Sequence, residues 1–153
     1  MTPDVTSRRD AEFYASTPRW SFDGESIAIE SFTSDSIEIV PAVGENERSA
    51  PPFRGAFPEW SPDGREIICA DLRWDDDDWI VIHPLNGTSR GVLHTRSFNH
   101  IRDPRLSRNG NRAIALFVED NLDWYYGTLQ SIDVTTGKQN LIDIDVQNAY
   151  WLP

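Results

Sequence analysis

PEWSPDG, at residues 58 to 64, is the stretch from which the fold of this chain can be read, because it returns in altered form on either side. PRWSFDG occupies 18 to 24 and PRLSRNG occupies 104 to 110, so the closing Gly24, Gly64 and Gly110 stand 40 and then 46 residues apart. A fourth copy begins at AYWLP, 149 to 153, and stops where Asp and Gly are due. A second landmark keeps the same register: Gly44, Gly87 and Gly137 end the stretches IEIVPAVG, IVIHPLNG and QSIDVTTG. Self-similarity at roughly 40 to 50 residues marks repeated units, each leaving a hydrophobic face for its neighbour to cover.

Each unit reads as four short strands. Asp23-Gly24, Asp63-Gly64 and Asn109-Gly110 are turn pairs between apolar runs. Gly accepts positive φ without penalty, and Asp or Asn can bond its own backbone, so these pairs close the first hairpin of each unit. The strands that follow, Ile27 to Ile29, Ile67 to Ala70 and Ala113 to Phe117, are continuously apolar, which requires both faces to be covered. Trp20, Trp60, Leu106 and Trp151 hold one place in the phrase, where a single large side chain per unit can bury against the next sheet. No segment carries a convincing helical period. LFVEDNLDWYY is short and lies between strand signals.

At these residues the chain resembles the WD-like, TolB-type β-propeller repeat, whose hallmark is Pro-x-Trp-Ser-Pro-Asp-Gly followed by a strand. PEWSPDG matches throughout, PRWSFDG replaces the second Pro by Phe22, and PRLSRNG lacks Trp, Pro and Asp. The resemblance runs from about Glu12 to Pro153. It implies an all-β fold of four-stranded antiparallel blades around an axis, in domains that mostly bind partners or ligands and sometimes accompany a catalytic domain. The expected organisation is a tail at 1–11, blades at about 12–48, 53–95 and 99–145, and the start of a fourth at 146–153. Closed propellers have about four to eight blades, so three blades and an opening strand imply a piece of a longer chain or self-association.

Composition narrows the partners. The chain has 153 residues, enough for one domain, with 39% hydrophobic and 11% aromatic content. A net charge of -11 opposes phosphate backbones and anionic lipid, so nucleic acid and membrane surfaces are excluded as expected partners. The basic residues are 13 Arg and the single Lys138, while 16 Asp outnumber 9 Glu, a usage that salt adaptation and codon bias explain equally well. Cys69, alone and inside an apolar run, reads as a small buried hydrophobe. MTPDVTSRRD holds no apolar stretch fit for a signal peptide, so the expectation is a cytoplasmic chain, or a periplasmic or extracellular one if it is truncated at its N-terminus.

The candidate functional face comes from unit lengths. From turn Gly to downstream Gly the separations are 20, 23 and 27, and the growth falls in the links ESFTSDS, ADLRWDDDDW and FVEDNLDWYYG between second and third strands. In an up-and-down blade these links share a rim with the connections RSAPPFRGAF and HTRSFNHIRD. That rim gathers Trp74, Asp75 to Asp78, Trp79, Trp124, Tyr125 and Tyr126 beside Arg54, His94, Arg96, His100 and Arg102. Binding residues favour loops held by a rigid scaffold. The ligand- or partner-binding candidates are therefore Trp74, Asp76, Asp77, Asp78, Trp79, Trp124, Tyr125, Tyr126, His100 and Arg102.

The segment WDDDDW has two readings. Its carboxylates can coordinate a hard cation such as calcium while the tryptophans stack on a sugar or peptide, or it is a solvated acidic loop over buried tryptophans. An EF-hand's alternating ligands and Gly are missing, and no cofactor is otherwise implied. DNLDWYYG is open in the same way, as a contact platform or as cover for a blade edge. His94 and His100 permit a metal or acid-base site, whereas His83, near a turn, is expected to face solvent. No nucleophile elbow, P-loop, dinucleotide fingerprint or paired CxxC occurs. The leading expectation is a non-catalytic module that presents one rim to a protein or small ligand. The alternative is a fragment of a larger enzyme, a prolyl-oligopeptidase-like peptidase or a polysaccharide or oligosaccharide lyase.

Overall fold

The computed structural model describes residues 15–31, 34–43, 50–71, 78–94, 99–119 and 127–146. They form three four-stranded antiparallel sheets, each built from strands consecutive in sequence. The first contains β1 (Ala15–Trp20), β2 (Ser26–Ser31), β3 (Ser36–Pro41) and β4 (Ala50–Arg54). The second contains β5 (Ala56–Trp60), β6 (Glu66–Asp71), β7 (Trp79–Pro84) and β8 (Arg90–His94). The third contains β9 (Asn99–Leu106), β10 (Arg112–Glu119), β11 (Gly127–Asp133) and β12 (Gln139–Val146). No helix and no closed sheet occurs among the described residues, and the architecture is an incomplete propeller of three blades. The expected opening strand of a fourth blade, with Trp151, lies outside the described residues apart from Val146, the last residue of β12.

Each repeated phrase builds the same turn. Ser21 Oγ donates to Asp23 Oδ1 at 2.6 Å and accepts the Ser26 N–H at 2.9 Å, while Asp23 Oδ1 accepts the Glu25 N–H. Ser61, Asp63, Arg65 and Glu66 repeat this set, and Ser107, Asn109, Asn111 and Arg112 repeat it again. The following glycines have φ of 74°, 70° and 69°, the left-handed region that a side chain resists. These hydrogen bonds hold the Asp23 and Asp63 carboxyls below the ordinary range, first through the serine hydroxyl and then through the backbone N–H.

Side-chain parity along β6 divides the interior in two. Ile67 and Cys69 join Ala28, Ile37, Ile39 and Trp60 between the first two sheets. Ile68 and Ala70 join Ile80, Ile82, Ala113, Ala115, Phe117 and Ile132 between the second and third. β6, sandwiched between two sheets, buries both faces, which explains its unbroken apolar run. The buried Cys69 thiol is pushed far up by desolvation, as suits a packing residue. The first strands converge, β5 lying against β1 and β9 against β5.

Three expectations need correction. Residues 50 to 54, read as part of the connection RSAPPFRGAF, form the outermost strand β4. An edge strand tolerates proline because one of its sides needs no ladder hydrogen bonds. The link to the next blade is thereby reduced to Gly55, where a Cβ would stand 2.7 Å from Cys69 Sγ and 2.9 Å from Ile37 Cδ1. His83 does not face solvent. It is half-buried and stacks on Phe53 of the preceding blade, with ring centroids 4.1 Å apart. Trp60 and Leu106 are buried as anticipated, but against the preceding sheet, and Trp20 is 59% exposed because no described sheet precedes it.

Candidate ligand-binding face

The rim inferred from loop lengths is where neighbouring blades meet. Gly55 N–H donates to the Asp35 carbonyl at 3.1 Å, joining the link between blades to the turn between the second and third strands. Four further contacts cross between blades at this end. Arg54 Nε lies 2.9 Å from Asp71 Oδ1, and Asp78 Oδ2 lies 3.3 Å from His100 Nδ1. Glu30, buried on β2, accepts the Phe57 N–H at 3.0 Å, and the Arg102 guanidinium lies 5.7 Å above the Phe57 ring. Phe57 has φ of 54° and Asp103, at the same place in the next phrase, has 45°. Each precedes a proline and marks a break in the register of its strand, so the buried Glu30 holds a strained backbone.

The site candidates separate on this frame. Asp78 and His100 meet across the junction of the second and third blades, Arg102 crosses the same junction onto the Phe57 ring, and Asp78 is only 5% exposed. This last aspartate of the acidic run is therefore a buried partner of His100 beneath the rim, whichever reading holds for the others. Trp79, one residue on, points to the opposite side and faces the first blade. Its ring lies across Gly91, where a Cβ would approach Cε3 within 2.8 Å. Trp74, Asp76, Asp77, Trp124, Tyr125 and Tyr126 lie outside the described residues. His94 closes β8. Among the described residues no group of three or more His, Cys, Asp or Glu could hold a metal ion.

Two features were not singled out from sequence. On the converging first strands, Glu59 Oε2 receives Arg19 Nε at 3.2 Å and Arg105 Nη1 at 2.5 Å, so one carboxylate ties all three blades together. These are the residues in the x position of the three phrases, and their Arg, Glu, Arg order was the available signal. The second is a recess of about 290 Å³ between the first two blades, lined by Arg54, Asp71, Trp79, Val81, His83, Ser89 and Gly91. Ser89 Oγ hydrogen-bonds His83 Nδ1 there, and burial holds the imidazole below its ordinary pKa, keeping it neutral near pH 7. No sequence period links these positions, which come from four strands and a turn.

No protein-family model matches the chain, and neither does any curated protein. Solved structures do. TolB from Agrobacterium tumefaciens superposes with a TM-score of 0.63 at 18% identity, over 87% of this chain and 47% of that one. The β-propeller domain of the trilobed protease from Pyrococcus furiosus gives 0.60 at 19%, over 86% and 44%. Acylaminoacyl peptidase from Pyrococcus horikoshii gives 0.61 at 18%, over 85% and 25%. The chain thus spans between a quarter and a half of these proteins. At such identities the likeness is one of fold, and it agrees with the three sheets described above: the chain has the architecture of part of a β-propeller.

Proposed function

We propose that this chain is a non-catalytic TolB-like β-propeller module, of the Pro-x-Trp-Ser-Pro-Asp-Gly repeat type, which holds a protein or small-ligand partner on one loop rim. The observation that carries the reading is the pair of contacts between the second and third blades, Asp78 with His100 and Arg102 over Phe57, at the end of the molecule where the aromatic and acidic links emerge. The Arg54–Asp71 ion pair, the Asp78–His100 contact and strained backbone there give the loops a fixed base, which lowers the entropy lost when a partner orders them. The charge of -11 favours a partner that is neither nucleic acid nor membrane. Replacing Trp74, Trp79 and Trp124 by Ala is expected to weaken partner capture in affinity pulldown while leaving the circular dichroism of the sheets intact. An unchanged pulldown profile would refute the rim assignment.

A second reading is favoured by the short span of the chain on its structural neighbours, two of which are peptidases or their propeller domains. In it, the three blades are a portion of a larger enzyme's propeller. A hydrolase reading frame in the adjoining DNA supports that reading, and its absence supports the first. Both readings leave the leading face of the first blade to be covered, by self-association or by the rest of a longer chain, because Trp20 and Phe22 stand exposed on its first hairpin.

A further inference from the structure

We infer that the recess between the first two blades binds a neutral pyranose sugar, a site beside the loop rim that rests on the proposed ligand-binding reading only in sharing Trp79 and the Arg54–Asp71 pair. Its lining is mostly apolar surface with several polar groups set in it. Trp79 and Val81 supply an apolar wall, and Gly91 leaves the indole free to lie flat across β8. Arg54, Asp71, His83 and Ser89 supply the polar groups.

Charge then selects the ligand. Arg54 already faces Asp71 at 2.9 Å, so the two charges balance and the recess favours neither an anion nor a cation. His83 adds no charge, since burial favours its neutral form. A wholly apolar guest would strip water from the ion pair and the imidazole without replacing its hydrogen bonds, which is unfavourable. A sugar ring meets both demands. Its C–H face covers an aromatic surface, while its hydroxyls, each a donor and an acceptor, bond the carboxylate, the guanidinium and the imidazole.

Size and rigidity agree. The volume of about 290 Å³ sits at the lower bound for pockets that take drug-sized ligands, so one ring is accommodated rather than a chain. His83 is held by the Ser89 hydroxyl on one side and the Phe53 ring on the other, and Trp79 is held by the close approach of Gly91. The polar groups are thus oriented before a ligand arrives, which reduces the cost of binding.

The test is a heteronuclear NMR titration of the full chain with methyl α-D-glucopyranoside, methyl β-D-galactopyranoside and methyl α-D-mannopyranoside in turn, each to high millimolar concentration. The expected result is a saturable shift, with at least one glycoside, of the Trp79 indole N–H and the Ser89 and Gly91 amides. Asp71→Asn is expected to weaken that binding about tenfold, the loss of a hydrogen bond to a charged group. If Asp71→Asn loses its amide dispersion, Ser89→Ala, which frees His83 without touching the ion pair, is expected to weaken binding more modestly. No saturable shift with any of the three glycosides, or unaltered binding in the folded variants, overturns the inference. Shifts confined to the Trp74 and Trp124 indoles also overturn it, while leaving the rim reading in place. Glycoside binding that survives Trp74→Ala and Trp124→Ala supports it whether or not those variants lose partner capture.

Discussion

Trp60 and Trp20 occupy the same place in two copies of one phrase, yet Trp60 is 3% exposed and Trp20 is 59% exposed. Trp60 lies between two blades and its indole Nε1 donates to the Arg19 carbonyl of the preceding blade at 2.9 Å. Trp20 has the same hairpin beneath it but no described blade before it. The contrast teaches that the phrase builds the hairpin by itself and leaves its tryptophan to a neighbour. Burial and a hydrogen-bond acceptor both come from the preceding blade.

The largest expected effect tests that contrast directly. Trp60→Ala is expected to destabilise the chain by about 3–5 kcal/mol in chemical denaturation, the range for deleting a large buried aromatic. Trp20→Ala is expected to stay within about 0.5 kcal/mol, as surface substitutions do. Equal losses would mean that Trp20 is covered in solution by another copy. In that event Trp20→Ala should also lower the self-association measured by light scattering, and a monodisperse monomer at micromolar concentration would count against self-association altogether.

The next effects probe what joins the blades apart from tryptophan. Glu59→Ala takes the shared carboxylate from Arg19 and Arg105 and leaves two guanidinium groups facing each other, at an expected cost of about 2 kcal/mol. Gly55→Ala forces a methyl against Cys69 and Ile37, with an expected loss of about 1–3 kcal/mol. Both are read from the denaturation midpoint, and a neutral result for either would assign the cohesion of the junctions to apolar contact alone.

The smallest effect separates the first two hairpins from the third. The Asp23 and Asp63 carboxyls titrate below their reference of 3.8 in the folded chain, so their hydrogen bonds stabilise it fully above that pH. This contribution fades as pH falls through the depressed values. Asn109 does the same work in the third blade without a titrating group. Asp23→Asn with Asp63→Asn is therefore expected to flatten the acid limb of the stability profile, measured as the denaturation midpoint against pH. An unchanged limb would place the acid sensitivity in other carboxylates such as Asp133, which its bonds to Thr136 also hold low.

The legible part of this fold was local. Ser-x-Asp-Gly dictates a turn through side chains two and five residues apart, and an unbroken run such as EIICAD announces a strand covered on both faces. The strand at Ala50–Arg54 was hidden inside the connection RSAPPFRGAF, since a segment with two prolines is admissible as a strand only at the edge of a sheet. Phe57 at positive φ carries no sequence mark, since the buried Glu30 carboxylate that sustains it is 27 residues away. Loop growth in the sequence marked the rim as the candidate face, and the division of Asp78 and Trp79 toward opposite blades needed the sheet.

By itself, then, the sequence determined the hairpins, the repeat and the two-sided strands, because those follow from torsional preference and hydrogen bonds over a few residues. Only the tertiary structure decided which tryptophan is dry, that Glu59 serves two arginines, and that Arg54, Asp71, Trp79 and His83 share one recess. Those outcomes depend on which face of one sheet meets the next, and no short-range rule in the chain encodes that meeting.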